Sequence, residues 1–208
     1  MTFSDGLRSE RDDGPWRRWK IAALRFRRSR DGSAAIEFAI LAIPYFLIIF
    51  AILETFVAFI AEQTVNAAVD TLSRQLRTGN ITYQLSRSTD KTVVQFRQLF
   101  CNEISFLLTC DANEVATPNR LWLDVRSFST FSAMPTTIAT TSGSLDTSSF
   151  AFTPGGASSI NMLRAFYYWP VTTDLVRPYI ATIHRPGVSS NSDYLIVSTT
   201  AFQNENYP

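Results

Sequence analysis

Two carboxylates, Glu37 and Glu54, bracket a stretch from Phe38 to Leu53 that carries no charge, and beyond Glu54 the residues Thr55 to Ala61 are again uncharged. An acid in the hydrocarbon of a bilayer costs about 3 kcal/mol at the centre of a spanning helix, so its retention points to a function. The chemistry open to Glu37 is charge pairing: a carboxylate held in a low dielectric is stabilised by a cationic partner. The bland alternative places Glu37 at the headgroup boundary, reaching water. Glu54 stands seventeen residues further on, about 25 Å at roughly 1.5 Å per helical residue, and so falls near the far interface.

Few other residues offer chemistry. Cys101 and Cys110 are too widely spaced for a C-x-x-C redox centre, and in an oxidising compartment they read as one disulfide that clips the end of a helix to the following turn. His184 is the single histidine and lies in a turn-like stretch, Ile183 to Gly187. No metal-ligand set, serine elbow or phosphate loop occurs, so the sequence predicts no cofactor, no metal and no catalysis. With 19 basic and 18 acidic residues the chain is close to neutral, which leaves no bulk electrostatic case for a nucleic-acid partner.

These residues need an element to hold them, and counting supplies it. Ser33 to Ala61 exceeds the roughly 20 residues that cross a bilayer, so one transmembrane helix is predicted. Arg17, Arg18, Lys20, Arg25, Arg27, Arg28 and Arg30 precede it with no acid between Pro15 and Arg30. That bias predicts a cytoplasmic N-terminus and an outer C-terminal domain. Trp16, Trp19, Ala23 and Phe26 recur at helical spacing between the arginines, which suggests a basic amphipathic helix on anionic lipid. Pro44 removes one backbone donor from the span and favours a kink.

The string G-S-A-A-I-E-F-A, Gly32 to Ala39, followed by Pro44 and Glu54, resembles the TadE-like pseudopilins of the tight adherence (Tad) pilus, a type IVc pilus system. The resemblance implies that a prepilin peptidase cuts between Gly32 and Ser33, making Glu37 the fifth mature residue. It maps the family's helix proline onto Pro44 and its distal membrane acid onto Glu54. Phe38, where the major pilins of this system tend to carry Tyr, implies a minor pseudopilin. Once cut, the Ser33 α-amine of a neighbouring subunit is the nearest new cation for Glu37, and that pair would set axial register. The implied partners are other pilins and pseudopilins, a TadF-like companion among them, with the prepilin peptidase and the Tad inner-membrane assembly machinery. The implied location is the bacterial inner membrane, single-pass, with a periplasmic or extracellular C-terminal domain.

Beyond the span, Val65, Val69, Leu72 and Leu76 repeat at three- and four-residue steps, predicting an amphipathic extension that stops at Thr78-Gly79-Asn80. Residues Ile81 to Asp90 read as a polar connection, and Lys91 to Leu108 as a second helix with Val94, Leu99, Phe100, Ile104 and Leu107 or Leu108 on its apolar face. Strands are expected at Leu121 to Phe128, Arg164 to Val171 and Tyr194 to Phe202. Ser129 to Asn161 is too long for an ordinary connection and reads equally as an exposed recognition loop or as irregular strands tucked under Phe131, Ile138, Phe150 and Phe152. The expected fold is α+β, with a single N-terminal transmembrane helix continuing into an amphipathic helix and an outer, pilin-like domain of a helix on an antiparallel sheet. The segments are a basic leader at 1–32, the span at 33–61, the extension at 62–78 and the outer domain at 79–208. Three functions compete: the non-catalytic pseudopilin serving pilus assembly and surface adhesion, a permanently anchored bitopic scaffold or sensor, and a membrane-tethered enzyme.

Overall fold

A computed structural model describes residues 30–172, 177–181, 183–185 and 192–207. The basic amphipathic segment expected around Trp16 to Phe26 lies outside them. The fold is α+β, and contacts divide it into two units, Met1–Ile49 and Phe50–Pro208.

The long helix α1, Arg30–Arg77, contributes to both units. In the first unit its side chains from Ala34 onward are almost all exposed, apolar ones included: Phe38 is 72% exposed and Leu41 69%. A soluble helix does not leave such a surface to water; this one is long and apolar enough to cross a membrane as a single anchor.

In the second unit burial begins at Ala58 and Ala61 and then follows the predicted stripe, with Val65, Ala68, Val69, Leu72 and Leu76 almost fully enclosed. The helix stops at Gly79, whose φ of +75° no β-carbon-bearing residue adopts cheaply. A side chain there would also strike the ring of Tyr207, 2.7 Å from the position of a Cβ.

Helix α2 runs over Val93–Ile104, inside the expected Lys91–Leu108. Thr92 starts it with a capping box: its hydroxyl accepts from the Gln95 N–H, and the Gln95 side chain accepts from the Thr92 N–H. The predicted face holds at Phe100 and Ile104, with Leu99 packed beside them, and misses at Val94. Phe96, Phe100, Cys101 and Ile104 face the core, whereas Val94 is 49% exposed. Leu107 and Leu108 pack from the turn beyond, and a short helix α3, Ala112–Ala116, follows.

The strands are β1 (Leu121–Phe128), β2 (Thr140–Thr141), β3 (Ser144–Leu145), β4 (Phe152–Thr153), β5 (Ile160–Trp169), β6 (Ile183–His184) and β7 (Ser192–Gln203), with a helical turn α4 (Arg177–Ile180) before β6. The main sheet has the order β4-β1-β5-β7-β6, and all its pairings are antiparallel except that of β4 with β1. Strand β5 begins four residues earlier than expected and ends at Trp169 because Pro170 cannot continue the ladder. His184, expected in a turn, pairs with Ser192 at the sheet edge.

Both faces of the sheet are covered. Leu121, Val125, Leu163, Ala165, Tyr167 and Ile196 pack with α1 and α2 in the main core. On the other face Phe166, Tyr168 and Ile183 pack with Leu145, and Phe150 stacks on Phe166 at 5.0 Å. The long Ser129–Asn161 stretch therefore divides between the two expectations: Leu145 and Phe152 are buried, while Phe131 and Ile138 stay about half exposed. The double cover explains why β5 is buried at eight consecutive positions.

Candidate functional site

The residues with membrane chemistry all lie on α1. Gly32 and Ser33 fall in its first turn, with no break in the helix between them. Glu37 is exposed one step before Phe38, and Pro44 is exposed within the uninterrupted helix. Proline has no N–H to offer the carbonyl four residues earlier, that of Ile40. Beside it Tyr45 and Phe46 meet edge to face at 5.6 Å.

Glu54 belongs to the second unit and has a defined polar contact there: its carboxylate accepts the backbone N–H of Thr172, three residues after the end of β5. Two turns further along the same helix face, Glu62 accepts from the Tyr194 hydroxyl at 3.5 Å. Burial, reinforced by Glu62, pushes the Tyr194 phenol above its ordinary value. The small residues Ala58 and Ala61 lie between the two acids, where the helix first meets the domain.

The sequence reading missed three buried charge clusters. Arg97 on α2 donates to the carbonyls of Val115, Leu121 and Glu114, and its guanidinium lies 3.7 Å from the Glu114 carboxylate. Burial lowers the Arg97 pKa while Glu114 opposes the shift. Asp124, fully buried on β1, pairs with Arg126 at 2.8 Å and Arg164 at 3.2 Å, and accepts the Ala151 N–H of the long loop. Asp193 pairs with Arg185 at 3.2 Å; burial raises its carboxyl, and Arg185, Arg120 and Arg177 pull the other way. A signal existed for the second cluster: alternation along β1 puts Asp124 and Arg126 on one face, opposite Arg164 of β5.

Cys101 and Cys110 are joined by a disulfide with a Cα–Cα distance of 5.3 Å, closing the turn between α2 and α3. Among the described residues no group of three or more His, Cys, Asp or Glu is placed to hold a metal ion.

The exposed apolar helix carries an acid five residues after a glycine, a proline within it and a second acid near its far end, and by length and composition it fits a single-pass membrane anchor. Residues 32–74 match the model of the TadE-like protein family, so this segment is TadE-like and links the chain to Tad pili. The match covers Gly32, Glu37, Phe38, Pro44 and Glu54 and ends within the buried stripe of α1. No curated protein and no solved structure matches the chain.

Proposed function

We propose that the protein is a TadE-like minor pseudopilin, a non-catalytic subunit that assembles with other pilins at the inner membrane and supports Tad pili and surface adhesion. The observation that carries this reading is the match over residues 32–74, which holds the glycine, both acids and the proline in one helix. In this reading the prepilin peptidase cuts after Gly32. The Ser33 α-amine of one subunit then neutralises Glu37 of the next, which offsets the cost of keeping that carboxylate in hydrocarbon. Phe38 flanks the pair, and the carbonyl that Pro44 leaves without its N–H lets the helix yield locally during packing. The domain of residues 79–208 faces the periplasm or the cell exterior, and a TadF-like pseudopilin, the peptidase and the Tad assembly machinery are its partners.

A second reading, a permanently anchored scaffold or sensor, is favoured by one feature: α1 already includes Gly32 and Ser33, and a peptide bond within a helix must unwind before a peptidase can take it. N-terminal sequencing of the protein recovered from membranes separates the two. Ser33 as first residue is expected, and Gly32→Trp should leave a longer, uncut chain in a host with the cognate peptidase. Equal sizes for the two chains would remove the pseudopilin assignment and leave the anchored scaffold.

A further inference from the structure

We infer that the edge of the second unit formed by Thr172 and α4 rests in the phospholipid headgroup layer, with Tyr179 as its anchor and Glu54 as the clamp that holds it there. The inference rests on reading α1 as a membrane span and adds to it a second, peripheral contact made by the folded domain.

The position follows from counting. A helix entering hydrocarbon at Ala34 has crossed about 30 Å when it reaches Glu54, which is the thickness of the bilayer core. Glu54 therefore stands at the outer boundary, and it is there that its carboxylate takes the Thr172 N–H. The contact carries onward, because the guanidinium of Arg177 donates to the carbonyl of Val171, next to Thr172, at 2.7 Å. Tyr179 lies two residues beyond Arg177 on α4 and is 83% exposed, more than any other large apolar side chain described. On α1 itself Phe56 and Phe59, just past Glu54, are 59% and 55% exposed, so aromatic surface gathers at this depth.

The residue types favour lipid over a protein partner. Tyrosine has an apolar ring and a polar hydroxyl and prefers the depth where hydrocarbon meets water. The opposite end of the domain, the turn around Ser88 that follows the stop of α1, carries no such aromatic and lies more than twenty helical residues from Glu54 along α1.

The test uses the full chain reconstituted, with its disulfide intact, in vesicles of phosphatidylcholine and phosphatidylglycerol. A nitroxide is placed in turn at Pro178→Cys, which is exposed beside Tyr179 and leaves it in place, at Ser88→Cys and at mid-span Ile43→Cys, and its accessibility to oxygen and to a water-soluble nickel chelate is read. Expected is a label at 178 that the chelate reaches several-fold less than the label at 88 but more than the label at 43. Adding Tyr179→Ser, which removes the anchor, or Glu54→Leu, which removes the acceptor for Thr172, should raise chelate access at 178 toward the value at 88. If 178 equals 88 while 43 stays protected, the headgroup contact is wrong and the span stands. Chelate reaching 43 as freely as 88 would sink the span itself, and the inference with it. Protection at 178 that occurs in cells but not in these vesicles would mean that a protein covers Tyr179, which also overturns the inference.

Discussion

At Glu114 one carboxylate oxygen accepts three backbone N–H groups, those of Asn119, Arg120 and Leu121, at 2.8 to 2.9 Å, while Arg97 lies against it. Removing the carboxylate leaves those donors without their acceptor and the buried Arg97 guanidinium without its opposite charge. Glu114→Ala should therefore cost about 3–5 kcal/mol, against about 1–3 kcal/mol for Glu114→Gln, which keeps an oxygen in place. Urea unfolding of the two variants measures the difference, and equal small losses would show that the cluster stabilises little. Glu37 belongs to the same scale but to a different environment. Glu37→Gln lowers the cost of burial, so the subunit should insert normally and be cut normally yet fail to cross-link to pilin partners or support surface pili. Glu54→Gln keeps an oxygen for the Thr172 N–H and should be tolerated better. Normal pili from Glu37→Gln, with loss from Glu54→Gln, would move the functional carboxylate to the far end of the span. The sequence marks Glu37 and Glu54 because charge in an apolar run is conspicuous. It does not mark Glu114, whose role depends on backbone donors that only a folded turn gathers.

Among the elements, α1 was readable because its period is long and regular, and its buried stripe is the one that the spacing of Val65, Val69, Leu72 and Leu76 predicts. Helix α2 was readable in place and over most of its apolar face, Phe100, Ile104 and, in the turn beyond, Leu108 being buried, but not at its first turn. Valines at positions 93 and 94 suggest an apolar start, but the capping box at Thr92 fixes the entry so that both point outward, and Phe96 takes the core position. Strand β5 hid its length because a strand covered on both faces loses the alternation that would mark its ends. The disulfide acts on the turn after α2. Replacing Cys101 and Cys110 together by serine should lower stability by about 2–4 kcal/mol, most of it through a freer unfolded chain. The Cys101 side of that change also touches the core, where this residue is 1% exposed. Thiol titration of the undenatured protein before and after reduction, followed by chemical unfolding, tests both the bond and its contribution. Free thiols before reduction would refute it.

For the whole molecule, titration should limit stability from both sides. Asp90 accepts from the Thr82 hydroxyl and from the Leu85 and Arg87 N–H groups, and chiefly the Thr82 bond holds its carboxyl below the ordinary value; side-chain and backbone bonds from Ser148 do the same for Asp146. Depressed acids contribute stability that is present above their unfolded pKa and lost as the pH falls through the folded one, so the acid limb should start below about pH 4. Burial raises Tyr167, Tyr168, Tyr194 and Tyr207. Their contribution is complete below about pH 10 and is lost as the pH rises from there through the raised folded values. Asp193, raised by burial, acts in the opposite sense: its contribution is lost as the pH rises from about 4 through its folded value. Thermal unfolding should be nearly flat only from there up to about pH 10, and Tyr167→Phe should weaken the alkaline limb. An unchanged limb in that variant would place the effect on the other tyrosines. The general plan of this molecule, an anchor helix joined to an α+β domain, follows from charge and periodicity along the chain. The second cover on the sheet does not, because the stretch from Ser129 to Asn161 has no period to follow and is held by contacts such as that of Ala151 with Asp124.

The Arg97–Glu114 cluster has a further effect through the groups it occupies. Leu121 opens β1, and its N–H goes to Glu114 while its carbonyl accepts from Arg97. Four residues along, the Val125 N–H is taken by the carbonyl of Ala151. The ladder groups that an unpaired strand would offer to a foreign chain are thus already spent at both points. A protein kept at high local concentration in a membrane is exposed to edge-to-edge polymerisation, and β1 is guarded against it at Leu121 by side chains of α2 and α3 and at Val125 by the backbone of the long loop. Losing Glu114 frees the Leu121 N–H and should add aggregation to the loss of stability.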